Sequence, residues 1–372
     1  MPKYRIAWLP GDGVGHDVME AARMILDELR LDAEYIPGEI GWELWKHEGN
    51  ALPDRTLEMM KDTTCALFGA ITSKPKGEAA KELDENLHGK GYEYFSPIVR
   101  LRQEFNLHTN LRPCKAYPGN PLNYKEGIDL VIFRENTEGM YGGVEFHPIP
   151  EAVFNTLEAN HPKMKKFKNY GLENLALSTR IMSRQKCANI VTQAFEYARK
   201  FKRKSVTVVD KPNVLRETGG LMIRTAREVA KDYSDIPLYE TNIDAQCMWL
   251  LKNPFDYDIL VAENMFGDIL SDLAAQLVGG LGFASSANMG DNYAVFEPTH
   301  GSAPKYAGQY KVNPMAMLLT TKLMLDWLTE LDMAKRLENA IATVIKEAKV
   351  RTYDMGGTNT TLEVAEEVAR IL

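Results

Sequence analysis

Short apolar runs alternate with amphipathic helical patterns along most of this chain. YRIAWL, CALFGAI, DLVIFREN, LALSTRI, SVTVVDK and DILVAEN are rich in β-branched and aliphatic residues, the pattern of strands buried on both faces. Between them, VMEAARMILDEL, KCANIVTQAFEYARKF and GLMIRTAREVAKDY repeat apolar residues at the three-to-four spacing of one helix face. From about Met315 onward the chain reads as three successive helices, MLLTTKLMLDWLTEL, MAKRLENAIATVIKEAK and TLEVAEEVARIL. This alternation predicts an α/β fold with a largely parallel sheet. PEAVFNTLEANHPKMKKFKNYG is polar, basic and irregular, and predicts a surface excursion. There is no internal repeat.

With 372 residues the chain is too long for one compact core, and two domains are expected. A net charge of −7 argues against general affinity for nucleic acid, while leaving room for a local basic pocket. No apolar run approaches the roughly 18 residues needed to span a membrane. The first residues enter a strand-like segment without a cleavable apolar stretch, so a cytoplasmic protein is expected. Cys65, Cys114, Cys187 and Cys247 are scattered without a C-x-x-C pair, which predicts free thiols rather than disulfides or a zinc site.

The chemistry-bearing residues change this picture from a fold to an enzyme. Asp268 and Asp272, in Asn264–Asp272, follow a strand pattern and fall four apart on one helix face. Two carboxylates so placed repel unless a cation intervenes, and a hard divalent ion suits oxygen ligands; the alternative is a solvated acidic face. Arg102, Arg112 and Arg134 recur in strand or junction contexts. Arginine at the end of a buried strand is costly unless it is paired or grips an anion. Three guanidinium forks could hold a polyacidic substrate, or form ordinary ion pairs with Glu104, Glu135 or Glu138. Lys211 ends a strand, where a closed site could make it a base, and Tyr141 could donate a proton; a surface lysine and a core tyrosine are the plainer readings. Gly11-Asp12-Gly13-Val14-Gly15 follows the first strand, but its spacing is not G-x-G-x-x-G; it reads as a tight turn near a ligand. Phe296–Gly308, punctuated by glycine and proline, cannot be a regular helix or central strand. Its His, Ser, Lys and Tyr could meet a nucleotide or simply form a structural loop.

Taken together, GDGVG, LRQEFNLHTNLRP, FRENTEGMYGGVEF, NMFGDILSDLAAQLVGGLG and FEPTHGSAPKYAGQYKVNP resemble the β-decarboxylating dehydrogenases: isocitrate, 3-isopropylmalate, homoisocitrate and tartrate/D-malate dehydrogenases. The resemblance covers essentially the whole chain, in the family's order. It implies a two-domain isocitrate/isopropylmalate dehydrogenase-like fold, not a Rossmann fold. Residues 1–100 plus 255–372 would form the large, cofactor- and metal-side domain, and residues 101–254 the small domain with the dimer interface. It implies metal-assisted oxidation of a 2-hydroxy acid by a nicotinamide cofactor, followed by loss of CO₂. Arg102, Arg112 and Arg134 would clamp substrate carboxylates. Asp268 and Asp272, with Asp244 given to the neighbouring subunit, would hold Mg²⁺ or Mn²⁺. Lys211, also crossing the interface, and Tyr141 would be the acid–base pair. Glu297, His300, Gly301, Ser302, Ala303, Lys305, Tyr306 and Asn313 fall where relatives hold the cofactor. Lys211 departs from the pattern in preceding Pro212, which restricts it to extended geometry; Asp17 stands for a more usual Glu.

The group that varies between the family's substrates would lie near Ser96, Ile98 and Val99. Ser96 matches isocitrate enzymes, whereas Ile98 and Val99 resemble the aliphatic pair that isopropylmalate enzymes set against an alkyl group. With the Lys-Tyr-Ala-Gly-Gln and Lys-Val-Asn-Pro segments resembling isocitrate enzymes, the expected substrate is isocitrate, with 3-isopropylmalate or another alkylmalate as the alternative. A non-catalytic regulatory subunit of an isocitrate dehydrogenase is a third reading, but such subunits lose part of the Arg, Asp, Lys and Tyr set, all present here. Lys305 and Tyr306, where NAD-preferring relatives read Asp-Ile, together with Tyr353, imply NADP over NAD. An arginine expected four residues after Tyr353 is replaced by Gly357. A homodimer or higher assembly with a shared site is implied, without nucleic acid or membrane partners.

Overall fold

The computed structural model describes residues 2–372. Its main sheet has ten strands. In chain order the strands are β1 (Tyr4–Gly11), β2 (Ala33–Pro37), β3 (Cys65–Ala70), β4 (Thr109–Lys115), β5 (Asp129–Glu135), β6 (Glu145–Phe146), β7 (Leu177–Ser178), β8 (Val206–Asp210), β9 (Leu238–Asn242), β10 (Ile259–Ala262), β11 (Ser285–Met289) and β12 (Ala294–Pro298). The large sheet runs β2-β1-β3-β12-β11-β4-β5-β10-β8-β9, and β6 pairs with β7 apart from it. The sheet is largely parallel, as expected, with three antiparallel pairings at its centre. A parallel block β2-β1-β3-β12 and a second, β5-β10-β8-β9, are joined by antiparallel pairings through β11 and β4. The strand order is that of an α/β fold but not of a Rossmann sheet.

Period-two alternation along these strands builds two different faces. On one face Leu111, Val131, Phe133, Val208, Val261, Ala287 and Phe296 belong to a single apolar cluster. It spans both blocks and takes in the helices Val14–Glu28, Arg184–Phe201, Thr218–Val229, Met315–Trp327, Leu331–Glu347 and Thr361–Ile371. On the other face the apolar residues split in two. Cys114, Leu130, Ile132 and Leu260 pack with Leu270 and Ala274 of the helix Asn264–Gln276. Leu9, Phe68 and Val295 pack with Leu101 of the helix Pro97–Glu104. Between these clusters lies a row of polar residues set by strand register. Asn288 on β11 pairs with Asn110 on β4, and Asn110 with Arg134 on β5; all three are almost wholly buried.

Three expectations need correction. LALSTRI is not a buried strand: Leu177–Ser178 pairs with β6 and Ile181 bridges Gly139, and Leu177 and Ser178 are only half-buried, because its Ser, Thr and Arg interrupt any buried run. The basic excursion is ordered as a helix, Glu151–Asn160, followed by a 3₁₀ segment, Pro162–Tyr170. It has no internal glycine or proline until Pro162 stops it, and Phe154 anchors it. Phe296–Pro298, where glycine and proline punctuation argued against a central strand, ends β12, which lies inside the sheet between β3 and β11.

Candidate active site

The carboxyl end of β5 and the helix Asn264–Gln276 meet at the polar row. Arg134, next to last in β5, has a nearly fully buried side chain. Its Nε and one terminal nitrogen donate to Asn264 Oδ1 at 2.9 and 2.7 Å, and its other nitrogen pairs with Asp268. This approach depends on Gly267, where an added Cβ would stand 2.7–2.8 Å from the Arg134 side chain. The helix itself is capped by Glu263, whose carboxylate accepts from Phe266 N–H at 2.9 Å, satisfying one of the orphan donors of a first turn.

Arg112 on β4 donates to Ser271 Oγ at 2.6 Å and reaches Asp268 and Asp272 at 3.3 and 3.2 Å. Tyr141, in the 3₁₀ turn Met140–Gly142, donates its hydroxyl to Asp268 Oδ2 at 2.6 Å, and its ring lies 5.1 Å from the Arg134 guanidinium. Burial works to raise the Asp268 pKa. The charges of Arg134 and Arg112 and the Tyr141 hydrogen bond outweigh it and hold the carboxyl below its ordinary value. Burial pushes Asp272 up, and its neighbour Asp268 adds to that. Burial, then the bond to Asp268, raises the Tyr141 hydroxyl, which keeps it a proton carrier.

Arg102 comes from the helix Pro97–Glu104. It donates through Nε to Asn288 Oδ1 at 3.0 Å and stands 3.5 Å from Glu297. Ser96 precedes that helix at the N-cap position but makes no capping bond, so its hydroxyl is free. Val99 is half-buried one turn from Arg102, while Ile98 packs onto the Leu9–Phe68 cluster.

The glycine turn after β1 does not form a nucleotide loop of its own. A Cβ on Gly13 would lie 2.2 Å from Ser302 O, and Val14 N–H donates to that oxygen at 2.8 Å. The turn therefore seats the Thr299–Gly308 loop. Ala303 there has φ 36°, and Ser302 Oγ meets Thr72 Oγ1 at 2.6 Å. Asp17 is buried and accepts from Gly308 and Tyr310 N–H at 3.1 and 3.2 Å. Lys305 Nζ lies 4.7 Å from the Tyr306 ring centre, and Tyr306 and Tyr353 are 6.1 Å apart. Asn313 donates to Asp354 at 3.0 Å. His300 Nδ1 is 3.0 Å from Gly301 O and Nε2 is buried without a partner; burial lowers its pKa. Gly301 has open space about its Cα. At Gly357 a Cβ would meet Arg351 O at 2.0 Å, so this backbone admits no arginine there.

Lys211 and Asp244 stand apart. Lys211 Nζ pairs with Asp244 Oδ1 at 2.5 Å, and that bond lowers the Asp244 pKa. No hydrogen bond or ion pair joins this pair to Asp268, Arg134 or Tyr141 among the described residues. The helix Ile243–Lys252 that carries Asp244 exposes Met248, Trp249 and Leu251.

Oxygen donors alone, in Asp268 and Asp272, suit Mg²⁺ or Mn²⁺. No group of three potential ligands forms among the described residues. Sequence reasoning missed Asn110, Asn264, Asn288 and Thr72, and it underrated Asp17.

Two charged carboxylates on one helix face, three buried arginines and a phenol bridging them are the furniture of acid substrate chemistry. The chain belongs to the isocitrate/isopropylmalate dehydrogenase family, whose pattern matches residues 5–368; these are β-decarboxylating dehydrogenases. It is 42% identical over 368 residues to 3-isopropylmalate dehydrogenase of Archaeoglobus fulgidus, covering 99% of each. It is 37% identical over 369 residues to isocitrate/homoisocitrate dehydrogenase of Thermus thermophilus, covering 99% of this chain and 98% of that one. It is also 40% identical to protein DlpA of Legionella pneumophila, matching 98% of this chain but spanning only 58% of DlpA. The crystal structure of isocitrate dehydrogenase from Methylococcus capsulatus superposes with a TM-score of 0.86 at 33% identity, covering 99% of both chains. Among the described residues no helix is long and apolar enough to cross a membrane.

Proposed function

We propose that this chain oxidises and decarboxylates a 2-hydroxy-3-carboxy acid, isocitrate first, with NADP preferred over NAD and Mg²⁺ or Mn²⁺ required. The observation that carries this reading is the convergence of Arg102, Arg112 and Arg134 with Asp268, Asp272 and Tyr141 at one polar seam. The guanidinium forks bind and orient the carboxylates. Asp268 and Asp272 would hold the metal, together with the neighbouring copy's Asp244. When bound, the metal supplies Lewis acidity and the nicotinamide supplies hydride acceptance. Lys211, offered by the neighbouring copy, takes the hydroxyl proton. Tyr141 keeps its proton near neutral pH and can deliver it to the carbon that loses CO₂. The exposed Met248, Trp249 and Leu251 beside Asp244 support an assembly that covers this helix.

For the cofactor, Glu297, His300, Gly301, Ser302, Ala303 and Asn313 line the loop side. Lys305, Tyr306 and Tyr353 cluster where a 2′-phosphate needs a cation and hydroxyl donors. For the substrate, the free Ser96 hydroxyl favours a third carboxylate, while Val99 supports 3-isopropylmalate or another alkylmalate as the second reading. Ile98, half-buried like Val99 and resting on the Leu9–Phe68 cluster, belongs to the same aliphatic pair.

The test is a panel of isocitrate, 3-isopropylmalate, homoisocitrate, malate and tartrate with each nicotinamide, read as its reduction. Highest kcat/KM for isocitrate with NADP⁺ is expected; preference for NAD⁺ refutes the loop reading, and no turnover of any acid refutes the function. Sharing is tested by mixing inactive Lys211→Met and Tyr141→Phe copies. Verified hybrids should regain activity, and hybrids that stay dead refute it.

A further inference from the structure

Three arginines side by side inside a protein need holding, because buried like charges repel and guanidinium forks on long stems are mobile. Carboxylates already stand beside each of them, Glu297 by Arg102, Asp268 and Asp272 by Arg112, and Asp268 by Arg134, and any further one would offset more of the charge that is to meet an acid. The polar row across β11, β4 and β5 resolves this with carboxamides. Asn288, fully buried on β11, accepts on one oxygen from Arg102 Nε at 3.0 Å, Asn110 Nδ2 at 2.8 Å and Asn136 Nδ2 at 2.9 Å. Asn110 in turn accepts from Arg112 Nε at 2.9 Å. Both arginines are thus gripped by Nε, the nitrogen at the back of the fork. Asn288 Nδ2 donates to Glu297 Oε1 at 2.8 Å, on the strand leading into the His300–Tyr306 loop, and keeps that carboxylate 3.5 Å from Arg102.

We propose that Asn288 is a positioning residue of the acid clamp: its carboxamide aims Arg102 directly, and Arg112 through Asn110, by their Nε atoms, without adding a further negative charge to those already beside them. The assignment rests on the reading above that these arginines bind the substrate's carboxylates. A carboxamide and a carboxylate have the same shape, so Asn→Asp exchanges charge with little change of volume. The introduced carboxylate competes with the substrate for the guanidinium; an ion-paired arginine has less to offer an incoming acid. The loss falls on binding common to ground and transition states, which appears in KM rather than kcat.

The experiment compares wild type, Asn288→Asp and Asn110→Asp with the best acid of the panel, at saturating cofactor and Mg²⁺. KM for the acid is expected to rise by about tenfold or more in both variants, with kcat changed by no more than about threefold. Calorimetric titration of that acid and Mg²⁺ into the cofactor-free protein should show the same weakening. Asn110→Asp, acting on Arg112 alone, keeps the test open if Asn288→Asp does not fold. Acid KM values within twofold of wild type overturn the proposal while leaving the function intact. So does a loss confined to kcat and melting temperature with KM unchanged, which marks a merely structural amide. A wild type that turns over no acid of the panel instead refutes the function on which the proposal stands.

Discussion

The two faces of the sheet are made from the same strands and do opposite things. On one face a single apolar cluster passes from block to block without a break. On the other, two clusters stop short of each other and leave a seam of amides, guanidinium groups and carboxylates. Neighbouring residues of one strand show the contrast: Phe133 and Arg134 are both buried, but one joins the continuous core and the other ends at Asp268. Burial alone therefore says nothing about role here. What separates the faces is whether the buried group needs a partner, and the seam assembles partners by register instead of excluding the groups that need them.

The difference can be broken from either side. Phe133→Ala on the continuous face should lower stability by about 3–5 kcal/mol through the cavity it leaves, measured by denaturant unfolding, with the acid KM of the folded fraction unchanged. A loss under about 1 kcal/mol would show that this face repacks freely. On the seam, Asp268→Asn should cut turnover of the folded protein by about 100- to 1000-fold, and excess Mn²⁺ should restore little. Wild-type protein that stays active in EDTA would sink the metal reading. Gly267→Ala sharpens the comparison, because its methyl group would collide with Arg134 and should raise the acid KM by about tenfold. Unchanged kinetics would mean that Arg134 does not hold substrate.

The smallest effect expected is on pH dependence, at the edge of the seam. Burial depresses the folded-state pKa of His300 below 6.5. Between the unfolded and folded values the unfolded chain binds the extra proton. The stability from keeping His300 neutral is therefore present above about pH 6.5 and lost as pH falls through the folded value. Melting temperatures at pH 7.5 and 5.5 should differ less in His300→Asn than in wild type, and equal slopes would rule the effect out.

Much of the seam was legible because charge is conspicuous in an apolar context. Arg102, Arg112 and Arg134 stood out in strand patterns, and Asp268 and Asp272 in a helix spacing; the structure brings all five together. Lys211 was marked by its place at a strand end, with a surface lysine as the plainer reading, whereas Asp244 was legible only through family likeness. The amides were invisible. Ser285–Met289 has no apolar run to mark it as a strand, and Asn288 acquires its role only from the register of β11 on β4, which no local pattern encodes. Asp17 looked interchangeable with Glu because its partners lie some 290 positions away along the chain, beyond any window of sequence. The parallel character of the sheet was legible in its buried runs, but the antiparallel insertion at its centre was not, because the pairing of β11 with β4 is wholly non-local.

The unbroken cluster has a thermal consequence that chain length would hide. A protein of this size, with its sheet in two parallel blocks, invites the expectation of two calorimetric peaks, one per block. Yet Leu111, Phe133 and Val208 share one core with Ile6, Leu67 and Phe296. Neither block can melt without stripping apolar surface from the other, and each such residue laid bare costs about 1.5–3 kcal/mol. Heat should therefore take the chain apart in a single cooperative step, with its calorimetric and van't Hoff enthalpies in agreement.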